Sequence, residues 1–275
     1  MKRVVTLQDI SCLGRCSITV ALPVISAMGV ECAIVPTAVL STHTMFKGFT
    51  VCDLSDQIEP ITRHWLSQDI KFDAVYTGYL ASEEQCGQTV DFIKSFKTDD
   101  NMVIVDPAMA DHGKLYPAFG PDFPKAMASV CGQADLVLPN LTEAAFLTGT
   151  PYREDWNETE VKGLLEKLLA LGCKSAMITG YGGGKGKTGF IAMDGNGKTL
   201  SYSHTLLPMS YHGTGDIFSS AVVGGLMRGL GLREAGVIAA DFVSRCIEHT
   251  SAQPNAPWYG VEFEALLPEL MEKLK

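Results

Sequence analysis

Short apolar runs alternate with longer stretches of helical periodicity along most of this chain. The runs at 4–7, 31–40, 72–78, 101–106, 134–140 and 174–179 are brief and mostly rich in β-branched residues. They predict strands buried on both faces. Between them, 18–28, 53–66 and 83–96 predict helices, with Asp53 as the N-cap of the second, and 8–16 and 41–48 predict loops. Asn157 followed by Glu160 is a capping-box signature for a helix running to about 171. Strand, crossover helix and strand in this rhythm specify a mostly parallel sheet covered on both faces, with ligands at the carboxyl ends of the strands.

The pattern changes after 179. Two alternating segments, 188–193 and 198–205, flank Asp194-Gly195-Asn196-Gly197, a strong hairpin signal. Helices are predicted over 214–230, 233–250 and 263–274. At 275 residues with 46% hydrophobic content, the chain can bury one large core, and one domain over 1–275 is expected.

Charge narrows the partners. A formal net charge of −9 and an isoelectric point near 5.1 argue against a nucleic acid or an anionic membrane, which require a basic face. No apolar run is long enough to span a bilayer, and the start Met1-Lys2-Arg3-Val4-Val5-Thr6-Leu7-Gln8-Asp9 turns polar too soon for a secretory signal, so a cytoplasmic location is expected. The eight cysteines include no Cys-x-x-Cys pair and read as reduced thiols rather than a zinc or disulfide framework.

The densest chemistry lies in Gly213-Thr214-Gly215-Asp216, which opens a helix of small apolar residues. A helix that starts on glycines presents free N–H groups and the positive end of its dipole, a cradle for a phosphate. Asp216 beside that cradle reads either as a cap or as a catalytic base. Other acids fall at predicted strand ends, Asp106 after one strand and Glu143 just beyond Asn140. Two carboxylates from different loops suit Mg²⁺, which also takes oxygens from water and nucleotide phosphates, although both positions can equally cap a following helix. Two phosphate-loop look-alikes fail on context. Tyr181–Thr188 has tyrosine where a Walker loop needs glycine, and Gly184–Gly189 leads into a hairpin rather than a helix. Lys185 and Lys187 there read either as phosphate-seeking cations or as a solvated turn.

Gly-Thr-Gly-Asp opening a late helix resembles the signature of the ribokinase superfamily, which implies a three-layer α/β/α fold with the late hairpin. Further segments are similar to its pyridoxal kinase branch: Ser41-Thr42-His43-Thr44, Thr77-Gly78-Tyr79-Leu80, Asp106-Pro107-Ala108-Met109-Ala110-Asp111-His112-Gly113, Pro139-Asn140-Leu141-Thr142-Glu143 and Ile178-Thr179-Gly180. The resemblance implies ATP-dependent phosphorylation of the hydroxymethyl group of pyridoxal, pyridoxine or pyridoxamine. It implies Asp216 as the base and the amides of Gly213, Thr214 and Gly215 as the anion hole. It further implies Ser11, Thr44, Tyr79 and, as a lesser candidate, His43 around the ring. Tyr79 and His43 also fit plain structural roles. Asp106, Asn140, Thr179, Lys185 and Lys187 fall on the nucleotide side, with Asp106 and Glu143 at the metal. ATP and Mg²⁺, room for a monovalent cation, and a homodimer are part of the same implication.

An aspartate with an ordinary pKa near 4 is too weak to deprotonate an alcohol in advance, but it can orient the hydroxyl and take its proton as the O–P bond forms. The chain departs from the pyridoxal kinase pattern at Arg15-Cys16-Ser17 and at Leu138, which leaves a hydroxymethylpyrimidine as the alternative substrate. Kinases of that second group often carry cysteine where this chain has Asp216. A sugar kinase and a non-enzymatic vitamer-binding protein are the weaker rivals. The sugar-binding segment and N-terminal lid of the former are missing, and the latter needs no phosphoryl cradle.

Overall fold

The computed structural model describes residues 1–274. In chain order its elements are β1 (Arg3–Ser11), α1 (Ile18–Ala27), β2 (Glu31–Leu40), β3 (Val51–Asp53), α2 (Ser55–Ser67), β4 (Ala74–Thr77), α3 (Glu83–Phe96) and β5 (Met102–Val105). Next come β6 (Ala110–Asp111), β7 (Lys114–Leu115), α4 (Phe123–Cys131), β8 (Leu136–Val137), α5 (Leu141–Leu147), α6 (Glu158–Leu169) and β9 (Ser175–Thr179). The chain ends with β10 (Lys187–Asp194), β11 (Thr199–Thr205), α7 (Thr214–Met227), α8 (Leu232–Ser251) and α9 (Leu267–Glu272).

One sheet orders these strands as β11-β10-β9-β8-β5-β4-β1-β2-β3. Pairing is parallel from β2 through β9 and antiparallel at β3 and at the β10–β11 hairpin. Alternation along the strands divides the core. Val5, Leu7, Val75, Val103, Val105 and Val137 face a cluster built with α2 to α6. Val4, Ala74, Tyr76, Ile104, Leu136 and Leu138 face one built with α1, α7, α8 and α9. Period-two side chains with apolar residues at both parities are what sandwich a parallel sheet between helical layers. This is the expected three-layer α/β/α architecture, with the late hairpin extending the sheet through β9–β10 pairing.

Local differences have identifiable causes. β1 runs on to Ser11 instead of ending at 7, because β2 pairs with it past an irregularity between Gln8 and Ile10. The short edge strand β3 takes Asp53, and the N-cap of α2 is Leu54; Asp53 instead accepts the Ser55 N–H at 2.7 Å from just outside the helix. Helices α4 and α5 have nine and seven residues, too few for a readable period. The predicted final helix divides into a 3₁₀ turn over Glu264–Leu266 and α9, where Pro268 occupies the first turn. The capping box at Asn157 and Glu160 forms as predicted.

Candidate active site

The chain leaves β1 toward β2 on one side and reaches β4, β5, β8 and β9 on the other, so the connection reverses beside β1. Open parallel sheets place ligands outside the carboxyl ends at such a point. A cavity lies there, lined by Asp9 and Ser11 from β1, Cys16 and Ser17 from the following loop, and Leu40, His43 and Thr44 from the end of β2. Tyr79 and Ala108 follow β4 and β5, while Tyr116, His212 and Asp216 complete the lining. The structure thus brings Ser11, His43, Thr44, Tyr79 and Asp216 into one cavity.

Asp216 reaches the cavity from the first turn of α7. Gly213 holds φ +81° as the N-cap, with no side chain capping that end. A Cβ on Gly213 would sit 1.8 Å from the Arg15 carbonyl oxygen, so only glycine lets the 14–17 loop pass. Ser17 takes the strained φ of +49° in that loop. Its N–H donates to the Asp216 carboxylate. Strain and glycine contact therefore serve one juxtaposition, a carboxylate beside uncapped helix N–H groups.

Asp216 keeps a face open to the cavity, yet its carboxyl is pushed up to about 8, first by burial and then by the nearby charges of Asp106 and Asp9. The ordinary value near 4 assumed from the residue type alone is therefore corrected, since the fold removes water and adds like charge. Burial moves Asp106 up to about 6 despite a 2.7 Å hydrogen bond from the Ser219 hydroxyl. Glu143 rises well above its usual range, through burial and the Asp106 charge. His212 falls to about 4, from burial and from His43, whose ring centroid is 4.5 Å away. Both imidazoles are thus held neutral beside the cavity.

Asn140 and Glu143 form a capping box on α5. Glu143 accepts the N–H groups of Asn140 at 2.8 Å and Met109 at 3.1 Å, while the Asn140 amide accepts from Glu143 N at 2.9 Å and donates to the Ala110 carbonyl at 2.9 Å. One end of the Asn140 amide therefore holds the 106–116 segment at Ala110, and the other caps α5. Thr179 bridges Asn140 at the end of β9. Lys185 is exposed in the turn before β10, and Lys187, also exposed, is the first residue of that strand, so the loop enters a strand and no helix follows. Neither lysine lines the cavity. Among the described residues no group of three or more His, Cys, Asp or Glu is arranged to hold a metal. Two buried carboxylates, Asp106 and the Glu143 whose carboxyl its charge raises, do fit a divalent cation completed by water and phosphate oxygens. Asp106 keeps one oxygen free of the Ser219 bond, whereas both Glu143 oxygens already take main-chain N–H groups.

A second hollow of about 400 Å³ lies between the end of β11, α8 and α9, lined by Thr205, Leu207, Ile238 and Phe242 with a polar rim. Residues 206–212 connect it directly to Gly213. Sequence reasoning missed this hollow and, in the first cavity, Asp9, Tyr116 and His212. For Asp9 a signal exists, an acid near the end of a strand like Asp106, but the apolar run stops at Leu7 and only pairing with β2 carries the strand on to Ser11.

A parallel α/β sandwich with a carboxylate at a glycine-opened helix at its switch point defines a ribokinase-like small-molecule kinase. The sequence profile described as phosphomethylpyrimidine kinase matches residues 17–257, and the chain belongs to that family. Among solved structures it is similar to a Bacteroides thetaiotaomicron protein provisionally named phosphomethylpyrimidine kinase, in an orthorhombic form with pyridoxal. That likeness has 35% identity, a TM-score of 0.93 and coverage of 98% of this chain and 95% of the other. It is also similar to a pyridoxal kinase from Lactobacillus plantarum, at 32% identity and a TM-score of 0.91 over 99% and 97% of the two chains. A hydroxymethylpyrimidine/phosphomethylpyrimidine kinase of Rhizobium meliloti is 29% identical over 238 residues, 85% of this chain and 86% of its own.

Proposed function

We propose that this kinase transfers the terminal phosphoryl group of ATP to the hydroxymethyl oxygen of pyridoxal, pyridoxine or pyridoxamine. The carrying observation is Asp216, which faces the cavity shared with Tyr79, Thr44 and His43 and lies beside an uncapped helix start. The acceptor hydroxyl donates to Asp216, which takes the proton as the new O–P bond forms and the bond to the ADP oxygen breaks. The N–H groups at Gly213, Thr214 and Gly215 steady the oxygens of the group in transit. Tyr79 offers a flat face to the ring, and Thr44 a hydroxyl at its edge.

Asp106 would hold Mg²⁺, with Glu143 acting through water. When bound, the ion neutralises charge on the phosphate oxygens. We assign the adenine to the hollow beside β11 and α8, whose apolar wall of Leu207, Ile238 and Phe242 suits a flat base. In this reading Lys185 and Lys187, exposed on their glycine-rich turn, meet the phosphates. A homodimer remains part of the proposal, and sedimentation tests it. Among the described residues no helix is long and apolar enough to cross a membrane.

A second reading has support of its own: the Rhizobium relative is named for a hydroxymethylpyrimidine as well as a phosphomethylpyrimidine, and the family description for the latter. The same base, cradle and metal acids serve either alcohol. Release of ADP from Mg-ATP, measured with each vitamer and with 4-amino-5-hydroxymethyl-2-methylpyrimidine, separates the two. A kcat/KM for the pyrimidine well above that of every vitamer overturns the first reading.

A further inference from the structure

The cavity contains two carboxylates, and the phosphoryl-transfer reading, on which this inference rests, uses only Asp216. The other is Asp9, which is 3% exposed and lines the cavity with Tyr79, His43 and His212. A carboxylate buried to that degree is costly without donors. Its side-chain donors are Ser11, whose hydroxyl lies 2.9 Å from Oδ2, and Ser17. No cation completes it among the described residues. Arg15 in the same loop is paired with Glu264 at 2.8 Å.

The Ser11–Asp9 bond changes what the cavity offers a ligand. Ser11 was expected to donate to the ring, but its proton already points to Asp9. The polar group presented at this wall is therefore an acidic acceptor, its carboxyl pushed above the ordinary carboxylate range by burial. Neighbouring His43 and His212 do not neutralise it, because burial holds both imidazoles toward the neutral form. Like charge from Asp9 reaches Asp216 across the same space. A ligand that brings a proton on nitrogen to Asp9 relieves both conditions.

We propose that Asp9 is the specificity-determining residue of the acceptor site, receiving an N–H from a protonated ring nitrogen or ring amino group. The site then selects basic nitrogen heteroaromatic alcohols over carbocyclic alcohols of the same shape. The two acids also fix orientation, Asp216 receiving the O–H at one end of the ligand and Asp9 the N–H at another. Ser11 and Ser17 act on Asp9 as positioning residues. A buried acceptor left unpaired rejects an analogue lacking the donor far more strongly than apolar walls reject a change of shape. The rule covers pyridines and aminopyrimidines alike, since both can present such an N–H.

The test compares pyridoxine, 4-amino-5-hydroxymethyl-2-methylpyrimidine and the benzyl alcohol isosteric with pyridoxine, carrying CH in place of the ring nitrogen. Calorimetric binding is measured for the wild type, Asp9→Asn and Asp9→Ala, with melting curves to establish folding. The wild type is expected to prefer pyridoxine over its isostere by about tenfold or more. In Asp9→Asn the ratio narrows, and in Asp9→Ala it falls to within about threefold, because affinity for the heterocycle drops while that for the isostere stays. A merely structural Asp9 weakens both ligands together and leaves the ratio intact; that result, or a wild type that does not discriminate, overturns the proposal. Binding that discriminates as expected without ADP release from any alcohol removes the kinase reading and leaves this one standing.

Discussion

Replacing Asp216 with Asn should make the ligand-free protein more stable while removing its turnover. In the fold this carboxyl sits at about 8 against an ordinary 3.8. The folded state therefore holds a proton that the unfolded chain has released, and this group's favourable contribution is lost as pH rises from about 4 through about 8. At about 1.36 kcal/mol for each tenfold in proton affinity the full gap has an upper value of roughly 5–6 kcal/mol. One face of Asp216 is open to the cavity, and water there screens the charge, so about 1–2 kcal/mol is the reasonable expectation at pH 8.5. For a chain of this size that corresponds to a melting temperature roughly 2–8 °C above wild type. At pH 5, little more than one pH unit above the unfolded value, most of that difference should be gone, leaving about a third of it. Thermal unfolding at both pH values, without Mg²⁺ or nucleotide, reads the stability, and ADP release at pH 8 should fall by roughly 10²–10⁴-fold. Equal melting temperatures at pH 8.5 refute the electrostatic account, and wild-type turnover refutes the role as base.

Further predictions follow from the same geometry. Gly213→Ala places a methyl 1.8 Å from the Arg15 carbonyl at a left-handed backbone position, and should lower stability by at least about 2 kcal/mol, read as the denaturant midpoint. An unchanged midpoint contradicts the close approach. Asp106→Asn should raise the Mg²⁺ concentration for half-maximal rate by about tenfold or more, with the nucleotide held constant; an unaltered Mg²⁺ titration removes Asp106 from the metal. Because Asp106 and Glu143 are both raised above their ordinary values, the metal-free fold holds extra protons above about pH 4 and, for Asp106, loses stability as pH rises from there through about 6. Saturating Mg²⁺ should accordingly raise the melting temperature more at pH 8.5 than at pH 5, and the opposite order speaks against a cation at this pair.

Periodicity and turn chemistry alone fixed the alternation of strands and helices, the hairpin at 194–197, the capping box at Asn157 and the glycine-opened helix ahead of Asp216, because each depends on residues within a few positions of one another. The strand ends offered Asp106 and Glu143 and the resemblance added Thr44 and Tyr79; the fold brings the latter two into the cavity with Asp216 and leaves the former as buried acids behind it. Other features were decided only by residues distant in sequence. Pairing of β1 with β2 extends the strand and turns Asp9 into the cavity wall. The Ser11 hydroxyl goes to Asp9 rather than outward, and α5 claims the Asn140 side chain for its own cap. Above all, the basicity of Asp216 has no local signature. A carboxyl at about 8 reflects burial first and then the charges of Asp106 and Asp9 from two other strand ends, and only the folded sheet brings those groups together.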